Sequence, residues 1–541
     1  TFSKLYYKFA GLNRSYEDLV AEKKRLIIGK HMAGNIDNLA QQLKNISSND
    51  RNASDITLYG IERVLVEVFA FFPVYRTYVN SGKFSDSDKL YIKEAIDKAK
   101  EKSPFLMYEL DYLQKFLLLE NIENIDEESK KSRLNFIMNF QQYTGPLMAK
   151  GFEDTVLYIY NRLISLNEVG GHPIYFGVPR KEFHSFCKGM SEKLPHSMNA
   201  TSTHDTKRGE DVRARINVLS EMPREWAGRV KMWNKLNKKN KKKIGEGYFP
   251  DNNDEYFIYQ TLIGVYPFDE QPDIFKERVK EYLIKAVREA KVHTAWIKND
   301  TDYESACVNF IEQILKEDDN NQFLKDFLPF QKKAAFYGTL NSLSQAMIKM
   351  TAPGVPDFYQ GCELWELNLV DPDNRRPVDY DKRISMLADI KERSKNDING
   401  LLKELSSDGR DGKIKLYLIY KTLEFRKAHP DIFETGSYVP IETTGKLKDN
   451  VISFMRKSGK GSAVVIAPRF YSYFMKEGEM VANSDIWGDT SVVLPEGSPA
   501  EFKDILTGNT IKCSDNTIAV STVQTLLPVS LLYGAGSGHA G

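Results

Sequence analysis

The run Thr201-Ser-Thr-His204-Asp205-Thr206-Lys207-Arg208-Gly-Glu210-Asp211-Val-Arg213-Ala-Arg215 sets an imidazole beside a carboxylate where a short β-branched stretch turns polar. It continues at helix-like spacing, with Glu210 and Asp211 where a first helical turn favours negative charge. A His-Asp pair at the C-terminal end of a strand is where a β/α barrel displays its chemistry. The same residues also read as an N-cap aspartate with a solvated basic helix behind it. A second stretch runs Thr351-Ala-Pro-Gly354-Val-Pro356-Asp357-Phe-Tyr359-Gln360-Gly361-Cys-Glu363-Leu-Trp365, and Val370-Asp371-Pro-Asp373-Asn374-Arg375-Arg376-Pro377-Val-Asp379-Tyr380 follows it. A Pro-Gly turn, a short apolar strand and an acidic-aromatic loop suit sugars, whose hydroxyls need polar partners and whose C–H faces pack on rings. The plainer reading is a turn-rich connection whose acids cap neighbouring helices.

Elements must position these groups. Helical periods cover about 15–46, 55–70, 86–102, 104–120 and 126–142, an all-helical block without evident chemistry in which Phe69, Phe71 and Phe72 read as core. From Gly145 to Asp211 the periods weaken and Gly, Pro and His increase, and a strand end is expected near Met148–Asp154. A second helical block spans about 222–350, and its Lys238–Lys243 run reads as a solvated loop tip. One more helix is expected at 413–433, then short strands at Val451–Met455, Ala463–Ala467, Ser491–Leu494, Thr517–Val520 and Ser530–Leu532. Gly459–Gly461 and Leu506-Thr507-Gly508 read as tight turns, and the glycine-rich stretch from Gly534 to Gly541 as disordered.

At 541 residues the chain has ample core for roughly three domains. Lys+Arg 75 against Asp+Glu 74 leaves +1, so no polyanion-binding field is implied and no nucleic-acid partner is expected. Cys187, Cys307, Cys362 and Cys513 lack metal or disulfide spacing, which suits a reducing compartment. No 18-residue apolar run or secretory signal is evident, so a soluble, cytoplasmic chain without membrane, metal or cofactor is expected.

The segments His204–Ile216 and Gly354–Tyr380 resemble the maltooligosyltrehalose synthases, the (1→4)-α-glucan glucosylmutases within glycoside hydrolase family 13. Phe72–Val79, Thr144–Thr155 and Leu166–Gly171 are similar to the same family, and the resemblance runs from about 5 to about 535. It implies an α/β fold: the C-terminal part of a (β/α)8 TIM barrel with large helical insertions, followed by an antiparallel β-sandwich. The expected domains are 1–143 (inserted helical subdomain), 144–400 (later barrel strands and helices, with a helical insertion at 222–330) and 412–535 (β-sandwich).

By resemblance Asp205 is the third family acid, which bonds the 2- and 3-hydroxyls of the sugar undergoing cleavage, and His204 is the neighbouring hydroxyl ligand. Lys207, Arg208, Lys150 and Glu153 are expected to contact glucan, and Glu363, Trp365, Asp373, Asn374 and Arg375 to form the cleft rim. Retaining glycosidases need a nucleophile and an acid/base about 5–5.5 Å apart. The family's nucleophile motif, a strand with arginine two residues before the aspartate, is not recognisable here, so a C-terminal portion of such an enzyme is expected. The implied reaction converts the reducing-end α-1,4 link of a maltooligosaccharide to an α,α-1,1 link. An enzyme hydrolysing the product is the expected metabolic partner. The alternatives are an α-1,4-glucan hydrolase or transferase of the same family, and a non-catalytic glucan-binding fragment.

Overall fold

The computed structural model describes residues 2–536 apart from Asn13, Asn49, Arg51, Asn52, Ser54, Gly82, Asn121 and Glu270. It is an α/β chain, rich in helix, and it divides into two compact units. The first comprises Thr1–Gly11, Asn161–Lys285 and Thr301–Gly541; the second comprises Leu12–Tyr160 and Ala286–Asp300.

In the first unit, β1 (Met198–Asn199) leads into the His-Asp run, β2 (Lys242–Ile244) and β3 (Gly247–Phe249) form a hairpin, and β4 (Val355–Pro356) lies parallel to β1. The pairing is Met198 with Val355 and Asn199 with Pro356. Behind the pair, helix Glu210–Glu221 packs on Asn252–Val265 and on the long helix Gln322–Thr351. Helix Asn252–Val265 is buried all round, so it needs an N-terminal partner for its backbone: Asp251 accepts the Asp254 N–H. Trp226 and Trp233, both fully buried, anchor an aromatic cluster with Tyr259, Phe323 and Phe330. Trp233 Nε1 donates to Asp326 at 2.7 Å, so the indole carries no orphaned donor into the core.

The lysine run is solvated except at one position. Lys241 turns inward and pairs with the fully buried Glu255 at 2.6 Å. A buried carboxylate needs a cation, and a long side chain at the edge of the helix supplies it.

The C-terminal part is antiparallel. β5 (Ser437–Pro440), β6 (Glu442–Thr444), β7 (Val451–Lys457), β8 (Gly461–Pro468), β9 (Ser491–Val493), β10 (Glu501–Asp504), β11 (Thr510–Lys512), β12 (Thr517–Ala519) and β13 (Ser530–Ala535) form two sheets. Their orders are β11-β10-β13-β8-β7-β5 and β12-β9-β6. All five expected strands are present. β5, β6, β10 and β11 were not expected, because each is only three or four residues long, too short for an alternation to stand out. β8 is buried along its whole length, with helix Gln322–Thr351 packed against it. The Leu506–Gly508 turn is present: Asp504 accepts the Leu506 N–H and the Thr507 hydroxyl, and Gly508 takes a left-handed φ of +80°. Gly459–Gly461 lies at the β7–β8 turn, where the Ser458 N–H meets the Gly461 carbonyl. Gly534 and Ala535 belong to β13 and are ordered into the sheet, contrary to the expected disorder; residues 537–541 lie outside the described residues.

The second unit is helical: Tyr16–Ile27, Ala33–Ile46, Leu58–Phe71, Asp86–Lys102, Met107–Leu117 and Glu127–Leu147. Phe69 and Phe140 stack at 4.5 Å in its core, and Phe72 is buried, as expected of core aromatics. Met148–Glu153, where a strand end was expected, is a π-helical turn continuing the preceding helix. The local periodicity weakens there because a wider turn shifts side chains off the 3.6-residue repeat. Gly151 lets this turn approach helix Tyr16–Ile27, since a Cβ there would sit 3.1 Å from Lys24 Cα.

Candidate functional site

The His-Asp run leaves β1 as a tight polar loop. The Thr206 hydroxyl donates to the Thr203 carbonyl at 2.7 Å, and the Asp205 N–H reaches the Thr203 hydroxyl at 3.3 Å. This turn lifts His204 and Asp205 into solvent, with side chains 60% and 73% exposed and Nε2 to Oδ1 at 3.4 Å. Asp205 is not an N-cap: the following helix begins at Glu210, with Gly209 before it. The plainer reading of the pair as a helix start therefore does not hold.

Glu168 fixes the base of the loop. Its carboxylate accepts backbone N–H groups from Val169 at 3.0 Å, Lys207 at 2.6 Å and Arg208 at 3.3 Å, and Arg213 lies 3.8 Å away. Charge-assisted bonds to backbone N–H groups are about twice as strong as neutral ones. The 366–376 segment closes against the same loop: the Gly209 N–H donates to Asn368, the Val370 N–H to the Lys207 carbonyl, and Asn374 Nδ2 to the His204 carbonyl at 2.8 Å. Gly209 permits this approach, because a Cβ there would stand 3.0 Å from the Glu366 carbonyl oxygen.

Asn374 thus sits directly under His204, itself nearly buried, and Tyr359 and Gln360 donate to its carbonyl. Asp373 faces inward to a two-pronged pair with Arg278 at 2.9 and 3.0 Å, and it accepts the Leu369 N–H. Arg208 is likewise committed inward, donating to the Ile164 carbonyl and the Tyr282 hydroxyl. Neither Arg208 nor Asp373 presents its charged group at the surface expected of it. Lys207 is largely buried. Arg375 is exposed, 3.6 Å from Asp371. Glu363 pairs with Arg383 at 3.2 Å, and Trp365 donates through its indole to the Gly409 carbonyl. Lys150 and Glu153 lie in the second unit: Lys150 pairs with Asp154 at 2.8 Å in solvent, and the buried Glu153 accepts the Tyr75 hydroxyl.

Beneath these loops is a buried ion network. Lys415, fully buried, reaches Glu210 at 2.8 Å and Asp211 at 2.9 Å; Lys349 reaches Glu210 at 3.0 Å and the Thr201 hydroxyl at 2.9 Å. Asp211 also accepts the Glu366 N–H at 2.8 Å, tying the acidic loop to the helix start. Burial raises the Glu210 carboxyl, but Lys415 and Lys349 outweigh it and hold the group well below the usual range. For Lys415, burial opposes the charge, while Asp211 and Glu210 hold the proton firmly.

Glu366 shows the opposite balance. Burial pushes its carboxyl up to about 7, Asp211 adds to the rise, and Arg383, Arg376 and Lys415 oppose it. The folded chain keeps this proton to about pH 7 and the unfolded chain only to about 4.5. Its contribution to stability is therefore complete below pH 4.5 and is lost as the pH rises through 7. Glu366→Gln removes that loss. Urea unfolding is expected to show the variant gaining about 2–3 kcal/mol on the parent at pH 8 and nothing at pH 4. Equal gains at both values would contradict the assignment.

Sequence reading missed Glu168 as the loop's anchor, Arg278 as the partner of Asp373, and the Lys415 network. For the last there was a signal: Lys415 stands within the apolar run Ile414–Ile419.

Helices packed behind a parallel strand pair, with an outward His-Asp loop and an acidic-aromatic loop closing on it, define an α/β chain that displays its polar loops at the end of its strands. No protein-family model matches it. It is a homologue of the maltooligosyltrehalose synthases and spans part of their length. A putative maltooligosyl trehalose synthase of Mycobacterium tuberculosis (strain CDC 1551 / Oshkosh) is 34% identical over 400 residues, covering 73% of this chain and 45% of that protein. The solved maltooligosyltrehalose synthase of Arthrobacter ramosus matches 98% of this chain and 60% of its own, at 29% identity and TM-score 0.77. A hypothetical maltooligosyl trehalose synthase of Sulfolobus tokodaii gives 98% and 60%, at 31% identity and TM-score 0.69. The chain thus spans about half the length of the curated relatives it matches and about three fifths of the solved ones.

Proposed function

We propose that this chain is the later portion of a glucosylmutase that converts the reducing-end α-1,4 link of a maltooligosaccharide to an α,α-1,1 link. The observation that carries the reading is the match of 98% of the chain to solved synthases. The outward His204-Asp205 loop fits it, since a carboxylate and an imidazole left without structural duties are available to sugar hydroxyls. In this reading β1 and β4 are late strands of a (β/α)8 barrel, with 1–143 an inserted helical subdomain and 412–535 a β-sandwich.

Asp205 bonds the hydroxyls of the sugar at the scissile bond and stabilises its oxocarbenium-like transition state; the nucleophile and the acid/base come from the remainder of the barrel. A glycosyl ester forms and the glucose leaves through its 4-hydroxyl. Its own anomeric hydroxyl then attacks in place of water. Transfer outpaces hydrolysis when water is excluded and the acceptor is held, where effective molarity reaches about 10⁵ M. Among surface residues, Glu363, Trp365 and Arg375 form the rim. Lys207 and Asn374 support the loop from below, with Arg208 and Asp373 as its internal struts. By the same resemblance Lys150 and Glu153 are glucan-binding residues. The enzyme works in the cytoplasm beside one that hydrolyses its product.

The test is incubation with maltopentaose, following reducing ends and product mass, for this chain alone and with the unmatched portion of a solved synthase supplied. Loss of reducing ends at unchanged mass, in the supplemented sample, is the expected result. A rise in reducing ends would identify a hydrolase. Glucan binding without turnover in either sample would leave a binding fragment, and both results overturn the proposal.

A further inference from the structure

In the second unit, helix Leu58–Phe71 packs on helix Met107–Leu117, which the short 3-10 turn Pro104–Leu106 leads into. Both elements carry rings outward: Tyr59 is 67% exposed and Phe105 65%. Arg63 joins them, its guanidinium carbon lying 5.6 Å from the Tyr59 ring centroid and 4.7 Å from that of Phe105. Single exposed apolar side chains are ordinary on a surface, but two rings gathered on one cation form a patch. Polar groups complete it. Among the described residues the Arg63 guanidinium makes no hydrogen bond or ion pair, so its donors are open. Glu109 approaches the same helical turn, with Oε1 3.3 Å from where a Cβ at Gly60 would stand. Its carboxylate likewise has no hydrogen-bond or ion-pair partner among the described residues. An ion pair between the two would have used up both charges.

Ring faces, an open donor and an open acceptor together select the occupant. A phosphate or other polyanion meets Arg63 but is repelled by Glu62 and Glu109. A proline-rich peptide stacks on rings and offers carbonyls to Arg63, but proline has no N–H to give to Glu109. A hexose meets every requirement. Its C–H faces pack on rings, and its hydroxyls both accept from a guanidinium and donate to a carboxylate. Both rings stand clear of the surface, so the ligand that fits is a chain of sugars laid across them.

We propose that Tyr59, Arg63, Phe105 and Glu109 form a non-catalytic α-1,4-glucan-binding platform on the helical unit, separate from the residues assigned to the reaction. The choice of α-1,4-glucan among polyhydroxyl chains rests on the proposed function, and the test separates the two.

The chain is run on native gels cast with and without soluble amylose, and its hydrogen exchange is followed with maltoheptaose. Retardation by amylose and slower exchange at 58–63 and 104–109 are expected. A Tyr59→Ala/Phe105→Ala variant, altered only at exposed side chains, should keep the urea midpoint of the parent and bind amylose more weakly by about tenfold for each ring removed. Arg63→Gln should weaken binding about tenfold through its lost charged hydrogen bonds. Absence of retardation of the parent chain overturns the proposal. So does undiminished retardation of the double variant, or exchange at both segments that maltoheptaose leaves unchanged. A deca-proline peptide that slows exchange there where maltoheptaose does not assigns the patch to a peptide and also overturns it. Binding at this patch without conversion of maltopentaose in the supplemented sample supports the platform while overturning the mutase reading. Conversion without binding at this patch does the reverse.

Discussion

Asp205→Asn is expected to lower the rate of maltopentaose conversion by the assembled enzyme about 10²–10³-fold while leaving the folding of this chain untouched. The first half follows from the charge. Asparagine keeps the shape and hydrogen-bonding reach of the side chain but removes the negative charge that, in the proposed role, faces a cationic transition state. Loss of one preorganised electrostatic group costs about 10²–10³ in turnover. The second half follows from the geometry: the Asp205 side chain is 73% exposed, with His204 at 3.4 Å. Surface changes of this kind shift stability by about 0.5 kcal/mol or less. Initial rates of reducing-end loss, beside urea unfolding of the same samples, separate the two effects. A rate within tenfold of the parent would remove Asp205 from the chemistry. A fall in rate matched by a fall in stability would make it a structural residue.

Lys415→Met is expected to destabilise the chain by about 3–5 kcal/mol, an effect measured by urea unfolding at pH 7. Methionine fills much of the same volume, so the loss is electrostatic and not a cavity. Lys415 Nζ lies 2.8 Å from Glu210 and 2.9 Å from Asp211, and its side chain is wholly buried. Removing it leaves Glu210 with Lys349 alone and Asp211 with only the less direct attraction of Arg215, in a place water does not reach. Adding Glu210→Gln to the variant should restore part of the loss, because one uncompensated charge then disappears. The network also ties the helix start to the acidic loop through the Asp211 bond to the Glu366 N–H, so hydrogen exchange at 363–376 should quicken in the single variant. A loss below about 1 kcal/mol would falsify the view that these charges hold the loop base together.

Much of the architecture is legible in the order of residues. The helices of both blocks and the central strands of the antiparallel part follow from apolar periodicity, because burial on one face writes itself into the sequence. β5, β6, β10 and β11 are not legible in this way, being only three or four residues long, and two of them bury a polar residue, Thr443 and Asp504. The π turn at Met148–Glu153 resembles a strand end because the helical repeat breaks there. Helices Arg180–Lys193 and Tyr380–Asn396 are also hidden, since each is polar over most of its surface, whereas Ile398–Leu405 carries Ile398, Leu401, Leu402 and Leu405 at helical spacing and is hidden only by its short length.

The chemistry-bearing groups, their order along the chain, and the kinship that those ordered motifs reveal are all written in the residues. Which of them face outward depends on long-range contacts. His204 and Asp205 are adjacent to Lys207 and Arg208 in one polar run, yet the first two emerge into solvent while the Arg208 guanidinium turns inward to the Ile164 carbonyl and Tyr282. Asp373 and Asn374 likewise look like solvent-facing acid and amide, and both are consumed in holding the loop. The physical reason is that a charged side chain's role depends on the partner it finds. Arg278, Lys415 and Glu168 lie tens to hundreds of residues away from the groups they pair with, a relation that no local pattern encodes.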